Sequence, residues 1–153
     1  MSLKPSTQSN DQQQADLRYQ NSLTLPNDVQ EVPRLAEFVD EVCEATGLDM
    51  GMAMKMNLAI EEAVVNVMNY AYPAGTRGEV VIEALAGNDW LKFIISDSGA
   101  PFDPTAKGEV DTTLSAEERG IGGLGIHLIR QLMDGINYER IDGRTVLSLT
   151  KKL

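Results

Sequence analysis

Glu62 and Asn66 stand four residues apart in the run EEAVVN. In a helix that spacing puts two side chains on one face, one turn apart. A carboxylate beside an amide oxygen suits Mg²⁺, a hard ion that takes oxygen ligands and keeps its waters, and the carboxylate can also accept a proton. A second pattern, DSGAPFDP at 97–104, follows a β-rich run. An aspartate at a strand end can accept from an exocyclic amine, and Gly99 lets another group approach the backbone closely. The third is RGIGGLG at 119–125, leading straight into a helical run. Glycines there leave free amides at a helix N-terminus, for which phosphate is the natural ligand, and Arg119 just ahead of them carries a guanidinium suited to a γ-phosphate. This loop is neither the GxxxxGK[ST] loop nor a G-x-G-x-x-G turn opening from a strand. The fourth, GRTVLSL at 143–149, offers the Thr145 hydroxyl as one more polar contact. Each pattern alone also reads structurally, as a solvated helix face, an Asx-capped turn, a flexible loop and an ordinary hairpin.

These residues need elements to hold them. Residues 17–25 alternate as a strand, and 28–46 read as a helix whose first turn carries Pro33. A second helix over 50–71 has an apolar stripe of Met56, Ile60, Ala63, Val64, Val67 and Ala71. That stripe leaves Glu62 and Asn66 on the other face, toward solvent or a ligand. The runs 79–85 and 90–96 form a hairpin about Ala86-Gly87-Asn88-Asp89, and 136–141 and 145–153 form another about Asp142-Gly143. Between the hairpins lie an irregular stretch from Asp97 to Gly123 and a helix over 124–133. A connection of about 25 residues is too long for a mere linker in a compact domain, so it is expected to be functional.

Composition bounds the remainder. A chain of 153 residues encodes one domain, and the polar, Gln-rich residues 1–16 read as a disordered tail ahead of a domain at 17–153. A net charge of -10 argues against a direct nucleic-acid binder, which neutralises phosphates with a basic surface. With Cys43 as the single cysteine and His127 as the single histidine, an intramolecular disulfide and a Cys₂His₂ zinc site are both excluded. His127 and Trp90 are expected to be structural. No apolar run approaches the ~18 residues of a membrane span, and no export segment follows the first Met, so a cytoplasmic protein with no membrane partner is expected.

Taken in order, EAVVNxxxYAY (62–72), DSGAPFDP (97–104), GGLGIHLIRQLMD (122–134) and GRTVLSLTK (143–151) resemble the nucleotide-binding boxes of the GHKL ATPase superfamily. This is the Bergerat fold shared by gyrase, MutL and histidine kinases. Within it the chain is most similar to the small bacterial anti-sigma-factor serine kinases of the RsbW and SpoIIAB type. The resemblance implies an α/β protein, a two-layer α+β sandwich with a mixed, mostly antiparallel sheet, helices on one face and an ATP lid over about 100–122. It implies that Asn66 helps hold Mg²⁺, that Asp97 binds the adenine amine with Gly99 alongside, and that Gly122, Gly123, Leu124 and Gly125 wrap the phosphates. Thr145 closes the same cofactor site, and Glu62 matches the general base. The implied activity is ATP-dependent phosphorylation of a serine or threonine on an anti-anti-sigma (STAS-domain) protein, which competes with a sigma factor or other effector for a homodimeric kinase. The alternative is a nucleotide-gated binding module that sequesters its partner without phosphoryl transfer. Tyr70 stands where the family often has histidine, and the acidic stretch with Glu109, Asp111, Glu117 and Glu118 has no clear counterpart, which leaves the target open. The catalytic half of a histidine kinase is disfavoured because no histidine other than His127 is present.

Overall fold

Every second residue along three strands is buried, and that alternation builds the sheet. In a computed structural model, residues 16–101 and 123–153 are described; the expectations for the tail at 1–15, for the lid at 102–122, and hence for Arg119 and Gly122, lie outside them. The strands are β1 (Tyr19–Pro26), β2 (Glu79–Ala86), β3 (Trp90–Asp97), β4 (Gly135–Ile141) and β5 (Arg144–Lys152), in the order β1-β2-β3-β5-β4. Val80, Ile82, Ala84 and Ala86 of β2, Leu91, Phe93, Ile95 and Asp97 of β3, and Thr145, Leu147 and Leu149 of β5 are buried. Period-two burial of this kind marks one covered face. Asp97 and Thr145, cross-strand neighbours, therefore project into the covered side.

Among the described residues three helices supply the cover: α1 (Val32–Ala45), α2 (Met50–Tyr70) and α3 (Gly123–Leu132). Leu35, Phe38, Val39, Val42 and Cys43 of α1 and Met56, Ala59, Ile60, Ala63, Val64 and Val67 of α2 join the inward strand residues in one core cluster. Asp49 caps α2 by accepting from the Met52 amide at 2.8 Å. Burial pushes the Cys43 thiol up to about 11, so it is inert packing.

The second hairpin turns at Asp142 (φ 50°) and Gly143 (φ 78°), two positive φ values in succession that match the right-handed twist of the paired strands. At the first hairpin the Gly87 amide donates to the Trp90 carbonyl at 3.1 Å. Asp16, placed in the tail by its composition, accepts from the Asn88 amide at 2.9 Å and from Asn88 Nδ2 at 2.8 Å.

Two expectations need correction. The helix over 28–46 is two pieces, a 3₁₀ turn at Val29–Glu31 followed by α1, because Pro33 lacks the N–H that a helix interior needs and fits only the first turn. The sheet expected to be mixed is antiparallel at every described pairing, since β5 folds back between β3 and its own hairpin partner β4. Among the described residues no helix is long and apolar enough to cross a membrane.

Candidate functional site

A single cross-strand row crosses the covered face: Val80 opposite Asp97, Asp97 opposite Thr145, and Thr145 opposite Arg140. Asp97 is only 1% exposed. Its Oδ1 accepts the Gly99 amide at 2.8 Å, while Oδ2 is buried with no partner among the described residues. From β4, Arg140 Nη1 donates to Thr145 Oγ1 at 2.7 Å and to the Gly99 carbonyl at 3.0 Å, tying the hairpin to the loop after β3. Arg144 donates to Ser98 Oγ at 3.0 Å and to Ser96 Oγ at 3.1 Å. Burial pushes the Asp97 carboxyl above its ordinary range, and the Gly99 amide, Arg140 and Arg144 pull against that rise. The outcome is an acceptor oxygen aimed into the covered side with no partner among the described residues.

The loop carrying Asp97 is fastened to the end of α2. The Ala100 amide donates to the Ala71 carbonyl at 2.7 Å, and a Cβ on Gly99 would lie 2.8 Å from the Ala71 carbonyl carbon. Gly99 is thus required by a close approach, as its residue type predicts, but the approaching group is α2 itself. Tyr72 finishes the joint, its hydroxyl donating to the Glu79 carbonyl at 2.8 Å and accepting from the Ser98 amide at 3.1 Å.

Asn66 departs from its expected placement. It is 1% exposed, on the buried side of α2, and neither Oδ1 nor Nδ2 has a hydrogen-bond partner among the described residues. Glu62 is half-buried at the helix margin. Four residues advance a helix by about 400°, so the later side chain sits some 40° further around the axis, and here that offset carries Asn66 under the covering layer. The pair is therefore no solvated face: its second member is committed to the interior. Fully buried polar atoms are nearly always paired, so an amide with neither atom satisfied calls for a partner beyond the described residues.

Gly123, Leu124 and Gly125 form the first turn of α3, where backbone N–H groups have no intrahelical acceptor, and α3 packs against α2. His127 is exposed, where a packed or half-exposed structural place was expected, and Trp90 is half-buried at the start of β3. Among the described residues no group of three or more His, Cys, Asp or Glu side chains could hold a metal ion alone. Arg140 and Tyr72 escaped the motif reading. The signal for Arg140 was the two-residue Asp142-Gly143 turn, whose register sets residue 140 opposite residue 145; Tyr72 gave none beyond its place in YAY.

The antiparallel sheet with helices packed on one face is an ATPase-like architecture, and Asn66 and Asp97 carry its buried polar atoms that are unpaired among the described residues. Residues 25–151 match the model of the histidine kinase-like ATPase domain, and the chain belongs to that family. Among curated proteins it is 35% identical over 96 residues to the serine-protein kinase RsbW of Listeria monocytogenes, covering 60% of this chain and 61% of that one. It is 34% identical over 104 residues to that of Bacillus pumilus (64% of each chain), and 32% over 127 residues to that of Bacillus cereus (76% of this chain, 79% of that one). The chain thus spans about six-tenths of the length of the first curated relatives it matches. A solved structure, the SiaB-SiaC complex from Pseudomonas aeruginosa, aligns at TM-score 0.48 and 15% identity over 100% of both chains, a likeness too slight to argue from.

Proposed function

We propose that the chain is an ATP-dependent protein serine/threonine kinase of the partner-switching type, acting in the cytoplasm as a homodimer. The observation that carries the nucleotide site is the set of three buried polar atoms without partners, Asn66 Oδ1, Asn66 Nδ2 and Asp97 Oδ2. Asp97 Oδ2 accepts from the adenine amine. Gly122, Gly123, Leu124 and Gly125 give backbone amides to the phosphates, and Arg119 gives its guanidinium to the γ-phosphate. Mg²⁺ fits the donor set: Asn66 has a free buried oxygen, and this ion is usually held by one or two protein ligands together with substrate phosphates. When bound, it offsets charge on the transferring group.

Glu62 decides between a kinase and a pure binder. It is half-buried one turn before Asn66, accessible to an incoming hydroxyl. The serine or threonine oxygen attacks the γ-phosphorus as its proton passes to Glu62; the bond from γ-phosphorus to the bridging oxygen breaks, and ADP leaves. The acceptor is an anti-anti-sigma protein of the STAS class, and its unphosphorylated form competes with a sigma factor for the kinase. The test is transfer of labelled γ-phosphate from ATP to purified STAS-domain proteins of the same genome, with the modified residue located by mass spectrometry. Labelled serine or threonine is expected. ATP binding with no transfer to any of them would leave the nucleotide-gated binding module.

A further inference from the structure

Helix α2 carries an apolar stripe that the described residues leave exposed. Met50, Met54 and Leu58 follow one another at four-residue steps and are 81%, 68% and 45% exposed. The outer face of a covering helix is normally charged; here Lys55 is the only charged residue between 50 and 60. Four of the seven methionines, at 50, 52, 54 and 56, fall in this stretch, and only Met56 is fully buried. Exposed methionines make adaptable contact surfaces, because the unbranched side chain repacks readily against different shapes.

Gly51 adds a second observation. It lies in the first turn of α2 and, with Met54, Lys55, Asn57, Leu58 and Glu61, lines a shallow and largely apolar groove. A Cβ there would meet only Asp49 Oδ1, at 3.5 Å, an ordinary contact. The fold does not need this glycine, and glycine weakens a helix relative to alanine. Its effect is to leave the groove open.

We propose that this stripe is the docking surface for the protein whose hydroxyl is phosphorylated, seated through an apolar anchor in the groove between Met54 and Leu58. The inference rests on the kinase reading above. Leu58 lies one turn before Glu62, an axial rise of about 6 Å and some 40° around the axis, and the stripe from Met50 to Leu58 extends about 12 Å. A protein that brings a serine or threonine to Glu62 comes within one helical turn of Leu58, the near end of the stripe. A second copy of the chain seated on the same stripe would cover the approach to Glu62, so the stripe fits the acceptor rather than the dimer partner.

The test uses Met54→Glu, Leu58→Glu and Gly51→Ala in the full chain, with the genome's STAS-domain protein that wild type labels as probe. Both charge variants should weaken acceptor binding by calorimetry at least ~10-fold, as burying a charge in an apolar anchor site does, and raise KM for the acceptor. The single-turnover rate at saturating acceptor, ATP affinity and melting temperature should stay at wild-type values. Gly51→Ala should raise the melting temperature while lowering acceptor affinity, a pairing that a purely structural role for the groove would not give. Unchanged acceptor affinity in both charge variants, with wild-type transfer intact, overturns the proposal. Loss of self-association by sedimentation with acceptor affinity retained also overturns it and assigns the stripe to a second copy. Absence of transfer by wild type to every STAS protein is a different result: it removes the kinase reading, and this surface falls with it.

Discussion

Replacing Asp97 by asparagine should make the free protein more stable and its nucleotide weaker, two effects of opposite sign from one atom. The substitution keeps the shape and keeps Oδ1 as acceptor for the Gly99 amide at 2.8 Å, while the unpaired Oδ2 becomes an NH₂ group. Folding raises the Asp97 carboxyl from its ordinary 3.8, so the native state holds that proton more tightly than the unfolded chain. With a raised folded value, the favourable contribution is present below the unfolded value and is lost as pH climbs through the folded one. Each unit of that rise corresponds to about 1.4 kcal/mol of stability forfeited at neutral pH. The stability advantage of Asp97→Asn should therefore open as pH rises above about 4 and level off above the native carboxyl's titration. Nucleotide affinity moves the other way. A charge-assisted hydrogen bond to the adenine amine is lost and a donor faces a donor, a cost of ~1.5–3 kcal/mol or roughly 10- to 150-fold. GTP, with a carbonyl at that position, should bind the wild type poorly and gain on ATP in the variant. Urea unfolding of the free protein between pH 4 and 8, with calorimetry of ATP and GTP, reads both effects. A variant less stable than wild type at neutral pH, or one that binds ATP equally well, would refute the reasoning.

Other consequences are as specific. Asn66→Ala should abolish the Mg²⁺-dependent part of ATP affinity and leave adenosine binding intact, measured by titration with and without chelator. Arg140→Met removes the bonds to Thr145 and the Gly99 carbonyl and one of the charges holding Asp97 down; on acidification ATP affinity should then begin to fall at a higher pH than in wild type, read by calorimetry across a pH series. Asp134 accepts from the Lys152 amide at 2.6 Å and is held below its ordinary 3.8. The stability it gives is present above that value and lost as pH falls through the lowered one, so Asp134→Ala should lower the melting temperature at pH 7 and make no difference in strong acid.

The hairpins, the three helices and the acidic end of β3 were legible because alternation and turn chemistry are local: Asp142-Gly143 can close only a tight reversal, and EVVIEAL can bury only every second side chain. Helix ends were legible to a residue or two, except where Pro33 divides a turn from a helix. Asn66 was the instructive case. Its residue type and its distance from Glu62 marked it, yet the apolar stripe does not show its burial, because α2 also packs against a helix more than 50 residues later in the chain. Gly99 was read correctly as a point of close approach, but no local pattern says that Ala71 is what approaches. Arg140 could have been placed by counting back from the turn. Its bond to the Gly99 carbonyl, 41 residues away, belongs to the tertiary structure alone.

The central claim is that this site transfers a phosphoryl group and does not merely hold a nucleotide. Single-turnover transfer from ATP to the STAS acceptor, followed for wild type and Glu62→Gln with ATP affinity measured on both, tests it directly. Glutamine keeps the shape and the hydrogen-bonding capacity of Glu62 but cannot take the proton. The account predicts unchanged ATP and acceptor binding and a transfer rate lower by ~10²- to 10⁴-fold, the usual loss for a general base. Equal transfer rates in the two proteins, with binding equal as well, would contradict it.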